Sequence, residues 1–164
     1  MERMTTIELK KEHFKFSSGH FTIFSDTERE NLHGHNFQVQ VCFNAEVDEN
    51  GIAVDYGILK RKIEELCQQL NEHFLLPANS PYLEIEISDE YIFAVFNKER
   101  IPFLKRDVLI LPVANVTLEE LSNWFLSQFL EDQSLIEGVR VREIKVMAFS
   151  GPGQSASAIW KKKS

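Results

Sequence analysis

From His33 to Phe43 the chain reads HGHNFQVQVCF, and His33, His35, Phe37, Val39, Val41 and Phe43 all fall on one parity. Gln38, Gln40, Cys42 and Asn44 take the other. Alternation of this kind is what a strand with one buried face requires. The stretch therefore predicts a long strand whose apolar face ends, at its start, in two histidines. Such a strand must lie in a sheet covered on one side, which constrains the rest of the chain.

The neighbouring segments supply the partners. TTIELKKEHFKF (Thr5 to Phe16) reads as strand, and the polar stretch from Ser17 to Asn31 as a long excursion between two strands. Asp55 is placed to cap a helix in which Ile58, Leu59, Ile63, Leu66, Leu70 and Phe74 recur at helical spacing. Tyr82 to Pro112 reads as short strands, YLEIEI, YIFAVF and DVLILPV. Thr117 and Glu120 fit a capping box, followed by the stripe Leu118, Leu121, Trp124, Phe125 and Phe129. VRVREIKVMAF and SASAIW close the chain as strands around a GPGQ turn. Strands and helices do not alternate strictly, so the order points to α+β, an antiparallel sheet with helices on one face. The 164 residues fit one domain, 1–164.

Charge narrows the function classes. The net charge is −7 and the pI about 5.3, which argues against a nucleic-acid partner, since such proteins carry a basic face. Cys42 and Cys67 are too few for a disulfide framework. No apolar run approaches a membrane span, and the N-terminal residues are charged. The expectation is a soluble, cytoplasmic protein with no membrane partner.

Residues two apart on a strand face the same way, so His33 and His35 can aim at one ion, with Gly34 leaving backbone room. His20, in SSGHF, offers a third nitrogen. Three neutral imidazoles suit Zn2+, and a catalytic zinc site keeps three protein ligands and one open position. Spacing alone leaves this reading level with surface or hydrogen-bonded histidines. His13 falls on the polar parity and reads as a solvated bystander.

FKFSSGHF, LHGHNFQVQV, GIAVDYGILK and VTLEELSNW resemble, in order and spacing, the 6-pyruvoyltetrahydropterin synthase and 6-carboxytetrahydropterin synthase (QueD-like) family over almost the whole chain. The resemblance implies the T-fold, a four-stranded antiparallel sheet with two helices on one face. Here it carries an extra strand insert at about 78–113. It implies a homo-oligomer, a hexamer as two trimers with active sites between subunits. It also implies zinc on His20, His33 and His35. The implied activity is a carbon–oxygen lyase that eliminates triphosphate from 7,8-dihydroneopterin triphosphate, or processes a related reduced pterin. The implied roles span tetrahydropterin and queuosine biosynthesis.

The chain departs from that family where the proton chemistry belongs. No cysteine lies between His20 and His33; Asp26, Glu28 and Glu30 are the acids available there. Glu30 is the first candidate base, provided burial raises its pKa toward neutrality. The family's Asp-His pair is replaced by LNEHF, leaving Glu72 and His73 as candidates. If the helix continues, His73 is rotated by about 100° from the family position. The last long strand offers Ala148 and Ser150 in place of the ring-gripping glutamate. Thr117 and Glu119 are the remaining candidates for binding the ring, although the capping box also accounts for Thr117 and Glu120. These losses keep open a second class: a catalytically silent or substrate-shifted zinc-binding paralogue that acts as an oligomeric binding protein.

Overall fold

The computed structural model describes residues 3–137 and 140–163. The alternating stretch is one strand, β3 (His33–Glu46), and it organises the main sheet. Its inward side chains Phe37, Val39, Val41, Phe43 and Ala45 are almost wholly buried. The larger of them contribute roughly 1.5–3 kcal/mol each. The first half of β3 pairs antiparallel with β2 (Lys15–His20), and the second half with β1 (Met4–Leu9). Its other edge pairs with β9 (Val141–Phe149), which in turn pairs with β10 (Ser155–Lys161). Val139, the expected first residue of β9, lies outside the described residues.

The helices begin where their caps predict. α1 (Tyr56–Leu70) starts at Asp55, whose Oδ1 accepts the Gly57 N–H at 2.7 Å. α2 (Leu118–Leu130) starts at Thr117, which accepts the Glu120 N–H at 3.3 Å. The return half of the box is absent: Glu120 instead accepts the N–H of Ala114 at 2.9 Å. α1 packs on β2 and α2 on β9 and β10, and both close over the inward face of β3 in one core. Ile58, expected in the apolar stripe of α1, is exposed.

The sheet is larger than four strands, and not wholly antiparallel. It has seven strands, because β4 (His73–Pro77) joins β2 in parallel and β8 (Val108–Leu111) joins β4 in parallel. A third, short helix, α3 (Gln133–Glu137), follows α2. The Thr5–Phe16 segment is two strands rather than one. The insert contributes β8 and a separate three-stranded antiparallel sheet of β5 (Leu83–Ile87), β6 (Tyr91–Phe96) and β7 (Glu99–Leu104). A second core joins this small sheet to Leu76 and Val108, and to Phe21 and Ile23 of the loop after β2.

The α1 periodicity was expected to run through Phe74, but the helix ends at Leu70. Asn71 turns the chain out, its Oδ1 accepting the Ser17 N–H at 2.9 Å. Glu72 adopts φ 59, and its N–H donates to Ser17 O at 2.7 Å. This left-handed residue redirects the backbone into β4. His73 is thus a strand residue, and helical rotation does not apply to it. Phe74 lies flat against Gly19, where an added Cβ would come within 2.4 Å of its ring. Gly19→Ala is expected to cost about 1–3 kcal/mol through overpacking, read as a lower denaturant midpoint with an unchanged slope.

Candidate metal centre and proton-transfer site

The β2–β3 register sets His20 opposite His33 and Ser18 opposite His35, with Gly19 facing Gly34 between them. All three histidines therefore reach the inward face at one end of the sheet. Their ligand atoms lie within 4.8 Å of one another. The Nε2 atoms of His33 and His35 face each other at 3.1 Å.

The backbone fixes which nitrogen is free. A carbonyl only accepts, so the His20 Nδ1–H donates to Val116 O at 2.8 Å and the His33 Nδ1–H to Asn31 O at 2.7 Å. Each leaves Nε2 with its lone pair toward the others, the arrangement that orients histidine ligands. The His20 Nε2 is buried with no hydrogen-bond partner. Burial holds the His20 pKa below the ordinary histidine value, against the pull of the Val116 carbonyl. A neutral, buried nitrogen with an unused lone pair, next to two more imidazoles, fits a bound Zn2+.

The loop from Phe21 to Leu32 joins two of these ligands and folds back on itself. Glu30 donates its N–H to Thr22 O at 2.9 Å, and its carboxylate accepts the Thr22 N–H, also at 2.9 Å. Glu30 Oε2 then lies 3.9 Å from His33 Nε2. Asp26 and Glu28, the other acids of the loop, are exposed. Burial pushes the Glu30 carboxyl up, as expected. The hydrogen bonds from Thr22 and the nearby histidines outweigh it, and the net result is a pKa below the ordinary carboxylate value. The sign is opposite to the expected rise: Glu30 is held ionised, and as a base it is weaker than an ordinary carboxylate, so its candidacy rests on its position beside His33.

These two shifts predict an acid-labile metal-free protein. The unfolded chain binds protons more readily than the folded one at both groups, so stability rises with pH through each window. The metal-free midpoint temperature should start to fall below about pH 6.5, where an unfolded histidine protonates. A second fall should come below about pH 4.3, where an unfolded glutamate does. Thermal unfolding from pH 8 to 2 reads both, and Glu30→Gln should remove only the contribution of Glu30 to the lower one.

One cavity of about 350 Å³ collects His20, His33, His35, Glu30, Thr117 and Glu119. Its far wall is Ser150 and Gln154, joined by a 3.1 Å hydrogen bond. Ala148 is buried in the core and does not reach it. Glu72 and His73 line a neighbouring cavity of about 570 Å³, which meets the first at His35. The His73 Nδ1 is buried there without a partner. Neither cysteine joins the site. Burial pushes the Cys67 thiol up to about 12, and Cys42 is likewise raised by burial. His13 pairs with Glu64 at the surface. Sequence reasoning missed the Val116 carbonyl and Asn115, whose side chain clasps the backbone of Ile23 from both sides. Backbone carbonyls leave no residue signature, and only the nearby Thr117 cap marks the turn.

The family model for 6-pyruvoyl tetrahydropterin synthase matches residues 8–158. The chain belongs to this family. A Methanocaldococcus jannaschii relative provisionally named 6-carboxy-5,6,7,8-tetrahydropterin synthase is 25% identical, over 87% of each chain. The crystal structure of 6-pyruvoyl tetrahydropterin synthase from Plasmodium vivax superposes with a TM-score of 0.92 at 28% identity, covering 98% of this chain and 99% of that one. A second Plasmodium vivax structure has alanine in place of a glutamate described as a catalytic residue. It matches at 27% identity, with the same TM-score, 0.92, and the same coverage, 98% and 99%. The α+β architecture of the chain is thus that of the pterin synthases, with the sheet and helix counts described above. Among the described residues no helix is long and apolar enough to cross a membrane.

Proposed function

We propose that the chain is a zinc-dependent, pterin-type lyase that eliminates triphosphate from 7,8-dihydroneopterin triphosphate or processes a related reduced pterin. One observation carries this reading: an ionised carboxylate, Glu30, shares a cavity with three convergent imidazoles and stands 3.9 Å from one of them. His20, His33 and His35 would hold the zinc. What zinc supplies there is Lewis acidity, which polarises substrate hydroxyls and acidifies the neighbouring C–H groups.

The other roles fall to the residues of the chain. Glu30 accepts a proton from the substrate side chain, and triphosphate departs as leaving group. The Thr22 N–H keeps the carboxylate aimed. A carboxylate does catalytic work in the Plasmodium vivax relative, which supports giving the missing cysteine's task to Glu30. Thr117 and Glu119, at the start of α2, bind the ring, Glu119 accepting its N–H groups in charge-assisted hydrogen bonds. Glu72 and His73 move a second proton from across His35. Family membership supports a homo-oligomer, a hexamer as two trimers, in which neighbouring copies close the open sides of both cavities.

The test is direct. Zinc-loaded protein is incubated with 7,8-dihydroneopterin triphosphate and with related reduced pterins, and triphosphate and altered pterin are quantified. Absence of any conversion would overturn the lyase reading in favour of a silent zinc-binding paralogue. The neutral Ser150–Gln154 wall favours one variant of the proposal, a substrate with a different ring edge. Thermal-shift screening against pterins, purines and deazapurines separates the two, because stabilisation by dihydropterins alone excludes the shifted substrate.

A further inference from the structure

Glu30 is a loop residue, and its hold on the site is set by what holds the loop. The Arg29 side chain is only 15% exposed. Its guanidinium lies on the faces of Phe21 and Phe96, 5.2 and 5.9 Å from the ring centroids. Nε donates to Glu99 Oε2 at 2.9 Å, and Nη2 donates to the same oxygen. Nη1 donates to the backbone carbonyl of Glu30 at 2.8 Å.

Phe96 ends β6 and Glu99 begins β7. The small insert sheet therefore reaches the loop through one turn and one arginine. Phe21 and Ile23 of the loop already share the second core with this sheet, and Ile23 bridges to Arg29 across the loop. A fork of five donors can grip a carboxylate and a carbonyl at once, while a lysine is a single point charge. Glu99 also occupies a cation that otherwise stands one residue from the Glu30 carboxylate.

We propose that Arg29 and Glu99 are positioning residues through which the β6–β7 turn sets where Glu30 stands against His33. The inference rests on Glu30 as the proton acceptor. It gives the insert a task in the site without any contact to substrate.

The test uses zinc-loaded Arg29→Lys, Glu99→Gln and Glu99→Asp, each judged first by amide hydrogen exchange. Arg29→Lys and Glu99→Gln should speed exchange at Thr22 and Glu30 by about tenfold or more, because those two amides report the loop's closure. Val39 and Val41 in β3 should stay protected, and Glu99→Asp should restore most of the loop protection. Turnover supplies the second readout. Glu99→Gln should lower kcat by roughly ten- to a hundredfold with KM little changed, as a misplaced catalytic group does. Placed on Glu30→Gln, the same change should cost nothing further, since coupled residues are not additive. Unchanged exchange at Thr22 and Glu30, or losses that add in the double variant, would overturn the inference. Full turnover in Glu30→Gln alone would instead bring down the Glu30 reading, and this inference with it. The exchange readout needs no substrate, so it decides the positioning claim even for a chain with no turnover.

Discussion

Glu30→Gln should lower triphosphate release by about 10²–10⁴-fold, the usual worth of a positioned acid or base, while zinc content stays at one per chain. Glutamine keeps the size of the side chain and an oxygen to accept the Thr22 N–H, so the loop stays closed. What it loses is the ability to take a proton. Alanine would be a poorer probe, because it also strips Thr22 of its partner. A glutamine variant within tenfold of the parent would assign the base elsewhere, with Glu72 and His73 next in line.

The second large effect concerns the metal. His33→Ala should reduce bound zinc to a small fraction of one equivalent and abolish turnover. Treating the parent protein with a chelator should do the same, reversibly. Stability should follow. Zinc at a hundred times its dissociation constant stabilises a folded chain by about 2.7 kcal/mol. For 164 residues that corresponds to roughly 5–10 °C in midpoint temperature. Calorimetry with and without zinc reads this difference, and His33→Ala should show none of it. Equal zinc content in parent and variant would remove the three-histidine site from the proposal.

The parts that could be read from sequence share one property: they depend on short-range pattern. β3 follows from period two, and α1 and α2 follow from their caps. The three histidines follow from the same periodicity plus a register that β2 could adopt. The parallel pairings of β4 and β8 were hidden, because the apolar spacing of α1 continues past its true end into Phe74. Only the Asn71 and Glu72 bonds to Ser17 end the helix there, and no local pattern announces them. β7 was missed because ERIPFL carries a proline within a short edge strand.

The site divides in the same way. Glu30 was legible as a carboxylate in the right segment. The sign of its pKa shift was not, since that depends on a hydrogen bond from Thr22 made only once the loop closes. In the sequence Arg29 is only a cation beside Glu30. Its engagement by Glu99, seventy positions along the chain, is a fact of tertiary structure alone.

The parity of β3 has one further consequence. The residues that build the main core and two of the three proposed zinc ligands alternate on the same side of one strand. A pairing error of one residue would turn Phe37, Val39 and Val41 toward water, and would turn His33 and His35 away from His20 in the same movement. A sheet slipped by one residue would thus separate the three imidazoles. Under the proposed zinc site, zinc uptake during refolding would therefore gauge strand alignment, and the ion would act as proofreader of the fold it later serves.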